Sequence, residues 1–252
     1  PDGTTMLFDA GLIEKEKWEK SRVPLKVVEP KPTDSLSVAK WISMYAKKIM
    51  PVKMAETIDY AVISHFHKDH YGSFIELNDF LPFNKIIDRN YPNYNYPVEL
   101  RTHQSKNGIL MSYLAFIDSE GIPTEALKVG SNNQIKLVNN LEKYPNFKVQ
   151  NIKSNATIWT GKDDETFEYF TAKEMTDYYK GKYNENPLSL ALKISYGDFD
   201  YFTGGDNTGL QGFGLPYWFD VETPMAKAVG RVEVTTLNHH GNRDATNEFF
   251  VK

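Results

Sequence analysis

The chain contains no cysteine among its 252 residues. That excludes disulfides, thiolate zinc sites and a cysteine nucleophile, so any bound metal must be held by nitrogen and oxygen donors. Long apolar runs are also missing, and none approaches the roughly 20 residues that a membrane-spanning helix needs. No excess of positive charge is present: 29 Lys and Arg against 33 Asp and Glu leave a net charge of −4. This argues against a broad basic face for nucleic acid, while a local pocket for one phosphodiester stays open. Repeats, heptads and low-complexity segments are absent, and one domain spanning residues 1–252 is the expectation for this length.

Histidine is scarce too, with six in the chain, yet three of them fall within "HFHKDH", residues 65–70. The hexapeptide follows "IDYAVIS", 58–64, a β-branched apolar run that reads as a strand buried on both faces. After it, Phe74, Leu77 and Leu81 carry a helical period up to Pro82. A metal-type loop thus lies between a strand and a helix. His65 and His67 can turn toward one cation when the backbone between them is extended, while Asp69 and His70 at a helix start point elsewhere, so two cations are suggested. Asp206, closing a strand that ends in "GGD", has the chemistry of a bridging carboxylate. His240 in "NHHG" can complete the second position. Zinc is the expected ion for such donors, with manganese or iron as alternatives, in one or two copies.

The remaining pattern alternates strands and helices. "TTMLF" reads as a strand followed by a polar loop to about Pro32. A helix is predicted over 38–49 behind an Asp34-Ser35 cap and stopped at Pro51. "NKIIDR" is the next strand, and residues 91–129 give no clear assignment. Ile135, Val138 and Leu141 predict a helix closed by Pro145. Strands follow in "FKVQNI", "TIWT" and "FEYFT". Residues 188–196 alternate Leu188, Leu190, Leu192, Ile194 and Tyr196 against smaller or polar neighbours, which predicts a half-buried strand hairpinned through Gly197-Asp198 into "FDYFT". "RVEVTTL" is a last strand. The opening Asp2-Gly3 is a hairpin dipeptide with no strand before it, and "NEFFVK" reads as an interrupted helix, so truncation at both ends is expected.

Taken in order, "MLFDAG", "HFHKDH", "FTGGD" and "NHHG" resemble the metallo-β-lactamase superfamily. Within it, "NPLSLALKISYGDFDYFTGGD" and "LNHHGNRDAT" are most similar to the nuclease-like domain of bacterial DNA-uptake channel proteins. The resemblance implies a four-layer αββα sandwich. It implies that His65 and His67 bind one metal, Asp69 and His70 a second, with Asp206 bridging and His240 joining the second. It implies that Asp9 supports the metal loop from behind. It also implies a metal-dependent hydrolase in which activated water attacks a phosphodiester, nucleic acid or small molecule, with Asp69 orienting the nucleophile or relaying its proton. Hydrolysis of a small ester, lactone or phosphorylated head group, or a non-catalytic metal-braced binding domain, are the alternatives.

Two departures stand out: Gly-Gly-Asp replaces the usual Gly-Asp, and the histidine that many members place before the bridging aspartate is missing, with Asn186 in roughly that place. Asn186 and His239 are accordingly read as supporting or substrate-facing residues. His103, the one histidine outside the motifs, reads as a loop residue. The aromatic run around Tyr91, Tyr94 and Tyr96 reads as a loop anchor.

Overall fold

The structure is a computed structural model that describes residues 1–12, 35–51 and 56–252. Most of the loop expected up to Pro32 lies outside them, as does Asp34 of the expected cap. The first sheet holds β1 (Met6–Phe8), β2 (Tyr60–Val62), β3 (Ile86–Asp88) and β4 (Thr124–Ala126) in sequence order, every pairing parallel. The second holds β5 (Phe147–Ser154), β6 (Thr157–Trp159), β7 (Thr166–Glu168), β8 (Ala191–Tyr196), β9 (Phe199–Gly204) and β10 (Val234–Thr235) in the order β10-β9-β8-β5-β6-β7. It is antiparallel apart from β10, which runs parallel to β9.

Period-two alternation on both sheets separates three apolar layers. Tyr60, Val62 and Ile87 of the first sheet meet Val149 and Leu192 of the second. Their neighbours Ala61 and Ile86 turn the other way, onto helices α1 (Val38–Ile49), α3 (Phe74–Phe80) and α5 (Gly108–Glu120) through Ala39, Phe74, Leu77, Leu110 and Leu114. On the far side of the second sheet, Ala191, Ile158 and Phe202 pack against Met175 of α6 (Ala172–Tyr178) and Met225 of α7 (Glu222–Val229). Helix, sheet, sheet, helix is the four-layer α/β sandwich expected from the sequence. Short helices α2 (Lys68–Tyr71), α4 (Leu100–His103) and α8 (Glu248–Val251) complete the described elements. No helix among the described residues is long and apolar enough to cross a membrane.

Several boundaries differ from the sequence reading. The cap of α1 is Ser37, whose side chain accepts from Lys40 N. The predicted helix through Ile135, Val138 and Leu141 does not form; only a 3₁₀ turn at Leu141–Lys143 is helical there. The reason is competition for its amides. Thr4 Oγ1 accepts from Val138 N at 2.8 Å, and Asp2 Oδ2 accepts from Asn139 N at 2.9 Å and Asn140 N at 2.7 Å. Asp2 therefore clips a distant segment rather than opening a hairpin. The strand predicted from residue 188 begins at Ala191, because Asn186–Leu188 forms a 3₁₀ turn. The unassigned stretch contains α4, α5 and β4, and a capping box of Thr171 and Glu174 starts α6, which the sequence reading missed.

Two buried carboxylates shape the loops beside the site. Asp88 accepts from Asn90 N, Tyr91 N, and the hydroxyls of Tyr94 and Tyr113, all at 2.7–2.8 Å, so Tyr94 anchors the aromatic loop in the core. Glu185 takes Arg89 in a two-pronged pair, Nη2 to Oε1 at 2.5 Å and Nε to Oε2 at 3.0 Å. Burial works against its ionisation, but Arg89 holds its carboxyl below the usual range. Breaking such a buried pair strands a charge. Arg89→Met is expected to cost about 3–5 kcal/mol in urea unfolding with an unchanged slope. A loss below about 1 kcal/mol would show the pair to be energetically idle.

Candidate metal centre

The site collects at one end of the two sheets, where the chain leaves β1, β2 and β9. Beyond β1, Asp9 takes a left-handed φ of 65° and Gly11 presses against the next loop: a Cβ there would lie 1.8 Å from Asp69 O. This approach lets Ala10 N donate to His70 O (2.7 Å) and Leu12 N to Lys68 O (3.1 Å). The Asp9 carboxylate accepts from Ser64 N and Ser64 Oγ, both at 2.7 Å, and meets His70 Nδ1 at 2.7 Å. An ionised carboxylate can only accept, so His70 carries a proton on Nδ1 and its Nε2 faces the centre. Ser64 Oγ, having given its proton to Asp9, accepts from His65 Nδ1 at 3.0 Å. His65 Nε2 is thereby turned inward as well.

Beyond β2 the chain bends at Phe66 and is extended at His67, which precedes α2, and α2 carries Asp69 and His70. Beyond β9, Gly205 lies so close to the histidine loop that a Cβ would stand 2.4 Å from Ser64 Oγ and 2.6 Å from Ser64 Cβ. The second glycine of Gly-Gly-Asp is thus a packing requirement of this chain. It seats Asp206, which is 3% exposed and whose N donates to Ser189 Oγ at 3.0 Å. The last loop is a 3₁₀ turn, Asn238–Gly241, in which His239 and His240 have φ of 43° and 55°. Such backbone is costly for residues with a Cβ and must be held by its surroundings. Glu222 does so: fully buried, it accepts from Asn238 Nδ2 (2.7 Å), Thr246 N (2.6 Å) and Asn247 N (2.7 Å).

These loops bring together two groups that could hold a metal ion, Asp69, His70, Asp206 and His240 in one, His65, His67 and Asp206 in the other. Asp206 is common to both. In the first group, His70 Nε2 lies 3.1 Å from Asp206 Oδ1 and 3.2 Å from His240 Nε2, and Asp69 Oδ2 lies 3.3 Å from His240 Nε2. In the second, His65 Nε2 is 3.0 Å from His67 Nδ1 and 3.7 Å from Asp206 Oδ2. Two donors on a tetrahedral zinc are about 3.4 Å apart when each bond is about 2.1 Å. The donor spacing and chemistry fit divalent cations in both groups.

The electrostatics describe a centre built for positive charge. Burial disfavours the His70 imidazolium, yet hydrogen bonds to Asp206 and Asp9 outweigh it and push its pKa up to about 10. The hydrogen bond from His240 holds the Asp69 carboxyl down at about 2 against the opposing effect of burial, and the same bond raises His240. His65, with no exposed surface, is pushed well below its ordinary value by burial and then by His70 and His67.

Of the other sequence candidates, Asn186 and His239 touch each other, Nδ2 to Nε2 at 3.1 Å, and His239 Nε2 is 3.7 Å from Asp206 Oδ2. His103 is exposed, bonds to Gly181 O at 3.1 Å and belongs to neither group. Ser64, Glu185, Ser189, Glu222 and Asp244 escaped the sequence reading. Ser64, Ser189 and Asp244 carried a signal, by lying inside or beside the motifs.

No family model matches the sequence, and no curated protein does. Among solved structures, a mutant of the CmlA β-hydroxylase is 12% identical with a TM-score of 0.38, over 72% of this chain and 26% of that one. Zn(2+)-bound PqqB from Methylobacterium extorquens is 11% identical with a TM-score of 0.33, over 81% and 49%. The metallo-beta-lactamase fold protein YhfI from Bacillus subtilis is also 11% identical at 0.33, over 81% and 73%. The chain thus spans about a quarter of the first and about half of the second. All the TM-scores are below 0.5, so the functional argument rests on this chain's own side chains.

The raised His70 pKa has a signed consequence. In the unfolded chain this group titrates near 6.5, so the bound proton stabilises the metal-free protein fully below that pH and is lost as pH rises toward 10. Melting of the metal-free protein is expected to fall from pH 7 to 10, and Asp9→Asn to flatten the decline. Loss of this orienting carboxylate is also expected to weaken metal binding about 10- to 100-fold in a chelator competition. A pH-independent melt together with unchanged affinity in Asp9→Asn would contradict the role given to Asp9.

Proposed function

We propose that this chain is a metal-dependent hydrolase acting on a phosphodiester. The reading is carried by one observation: a buried carboxylate, Asp206, shared by two imidazole-bearing donor groups at cation-binding separations. His65, His67 and Asp206 would hold one ion, and Asp69, His70, His240 and Asp206 the other. Ions held by these residues would supply an activated water near neutral pH and polarise the bond under attack, which is chemistry suited to displacement at phosphorus. Zinc fits the imidazole-rich set, with manganese or iron as the alternatives.

The chain's own residues prepare that chemistry. Asp9 and Ser64 fix His70 and His65 before an ion arrives, so binding costs little reorganisation. Asp69 sits at the mouth of the centre, its side chain 45% exposed, and the His240 contact keeps it ionised. It is placed to accept a proton at the solvent side. Beside His67 a cleft of about 400 Å³, lined also by Phe66, Gln104, Tyr179, Tyr183 and Asn184, gives the ester group room. The one carboxylate lining it, Glu185, is already neutralised by Arg89. A substrate anion entering there meets no net negative charge. The larger cavity of about 1070 Å³, bordered by Leu210, Val232, Leu237 and Phe249, includes none of the centre's residues.

Turnover of bis(p-nitrophenyl) phosphate with Zn²⁺ or Mn²⁺ tests the proposal, beside nitrocefin and a lactone. Phosphodiester hydrolysis lost at least about 100-fold in His67→Ala and Asp206→Asn, with folding intact by circular dichroism, is the expected result. Hydrolysis confined to the carbonyl substrates, or no turnover despite bound metal, would overturn it.

A further inference from the structure

We infer that Asn186, through Oδ1, is the oxygen donor that completes the His65, His67 and Asp206 group, which makes that position the weaker of the two. The inference rests on the metal reading above. It starts from an imbalance. One group offers two imidazoles and two carboxylates, whereas the other offers two imidazoles and only the shared carboxylate. The second group is therefore one donor and one negative charge poorer.

Asn186 is bracketed by three of the segments that build the site. The residue before it, Glu185, accepts from Phe66 N at 3.0 Å, between His65 and His67. Three residues on, Ser189 Oγ accepts from Asp206 N at 3.0 Å. Its own Nδ2 meets His239 Nε2 at 3.1 Å, and that nitrogen is 3.7 Å from Asp206 Oδ2. Asn186 is 7% exposed, and its Oδ1 is buried without any hydrogen-bond partner among the described residues. A buried carbonyl oxygen left unpaired is costly, and in a native protein it calls for an explanation.

The direction of the amide follows from its neighbours. Asp244 Oδ1 lies 2.5 Å from His239 Nδ1 and can only accept, so the proton sits on Nδ1. Nε2 is then the ring nitrogen that faces Asn186, and the Asn186 NH₂ meets it. His239 Nε2 is thus occupied, and Asn186 Oδ1 is left buried without a proton donor among the described residues. A carboxamide oxygen is a harder and weaker donor than imidazole toward zinc. The two positions would consequently fill in order, the Asp69, His70, Asp206 and His240 group first.

The test is a stepwise Zn²⁺ titration of the full chain against a chromophoric chelator, with metal-free folding followed by circular dichroism. The wild type is expected to bind two equivalents, the second more weakly. Asn186→Ala should weaken the second by about tenfold or more and spare the first. Asn186→Asp is the decisive variant, because it keeps the oxygen, adds charge and removes the Nδ2–H given to His239. As a ligand it tightens the second equivalent about tenfold or more, or creates one if the wild type holds a single ion. As a mere support for His239 it loosens binding. An unchanged or weaker second equivalent in Asn186→Asp, or a single equivalent in every variant, overturns the inference alone. A wild type that binds no Zn²⁺ removes the metal reading itself.

Discussion

A carboxylate that is 3% exposed stands at the end of β9 with four imidazole nitrogens around it: His70 at 3.1 Å, His240 at 3.6 Å, and His65 and His239 at 3.7 Å. Burying an unpaired carboxylate is prohibitive, so Asp206 is tolerable only where positive charge accompanies it. Protons on the surrounding rings can supply that charge, as the elevated pKa of His70 shows, and divalent cations can supply more of it. The clustering of histidines in a histidine-poor chain, the second glycine that lets Asp206 approach Ser64, and the left-handed backbone at residues 239 and 240 all follow from placing that one charge. None of them has a purpose in the apolar core.

The loops that surround Asp206 come from distant parts of the sequence and no disulfide fastens them. Buried and half-buried carboxylates do the fastening instead. Asp9 ties the β1 end to Ser64 and His70, Glu185 ties Arg89 to the amide of Phe66, and Glu222 ties α7 to both ends of the His239–His240 loop. Each accepts from several donors, at least one of them a backbone amide or a charged group, which offsets the cost of desolvating the carboxylate. The result is a rigid rim on which donor atoms are set before any ion binds.

Much of this was legible in the residues. The run Tyr60–Val62 announced a strand with both faces covered, and Ala61 does turn one way while Tyr60 and Val62 turn the other. The motif histidines and Asp206 are brought together where strand ends were expected to converge. What stayed hidden was hidden for physical reasons. Helix α5 is buried through Leu110, Tyr113, Leu114, Phe116 and Ile117, so it shows no polar stripe, and only Asn107 and Gly121 mark its ends. The helix expected around Val138 was overruled by Asp2 and Thr4, more than 130 positions away in sequence. Glu185 and Glu222 look like ordinary polar residues, and their roles exist only once the sandwich has closed.

The central claim is that Asp206 stands between two cations. Anomalous scattering at the zinc edge from a crystal grown with Zn²⁺ tests it most directly. Two peaks about 3.5–4 Å apart, one on either side of Asp206, with His65 and His67 on one and His70 and His240 on the other, are the predicted outcome. Peaks elsewhere on the molecule, with the Asp206 carboxylate bonded only to protonated imidazoles, would contradict the account.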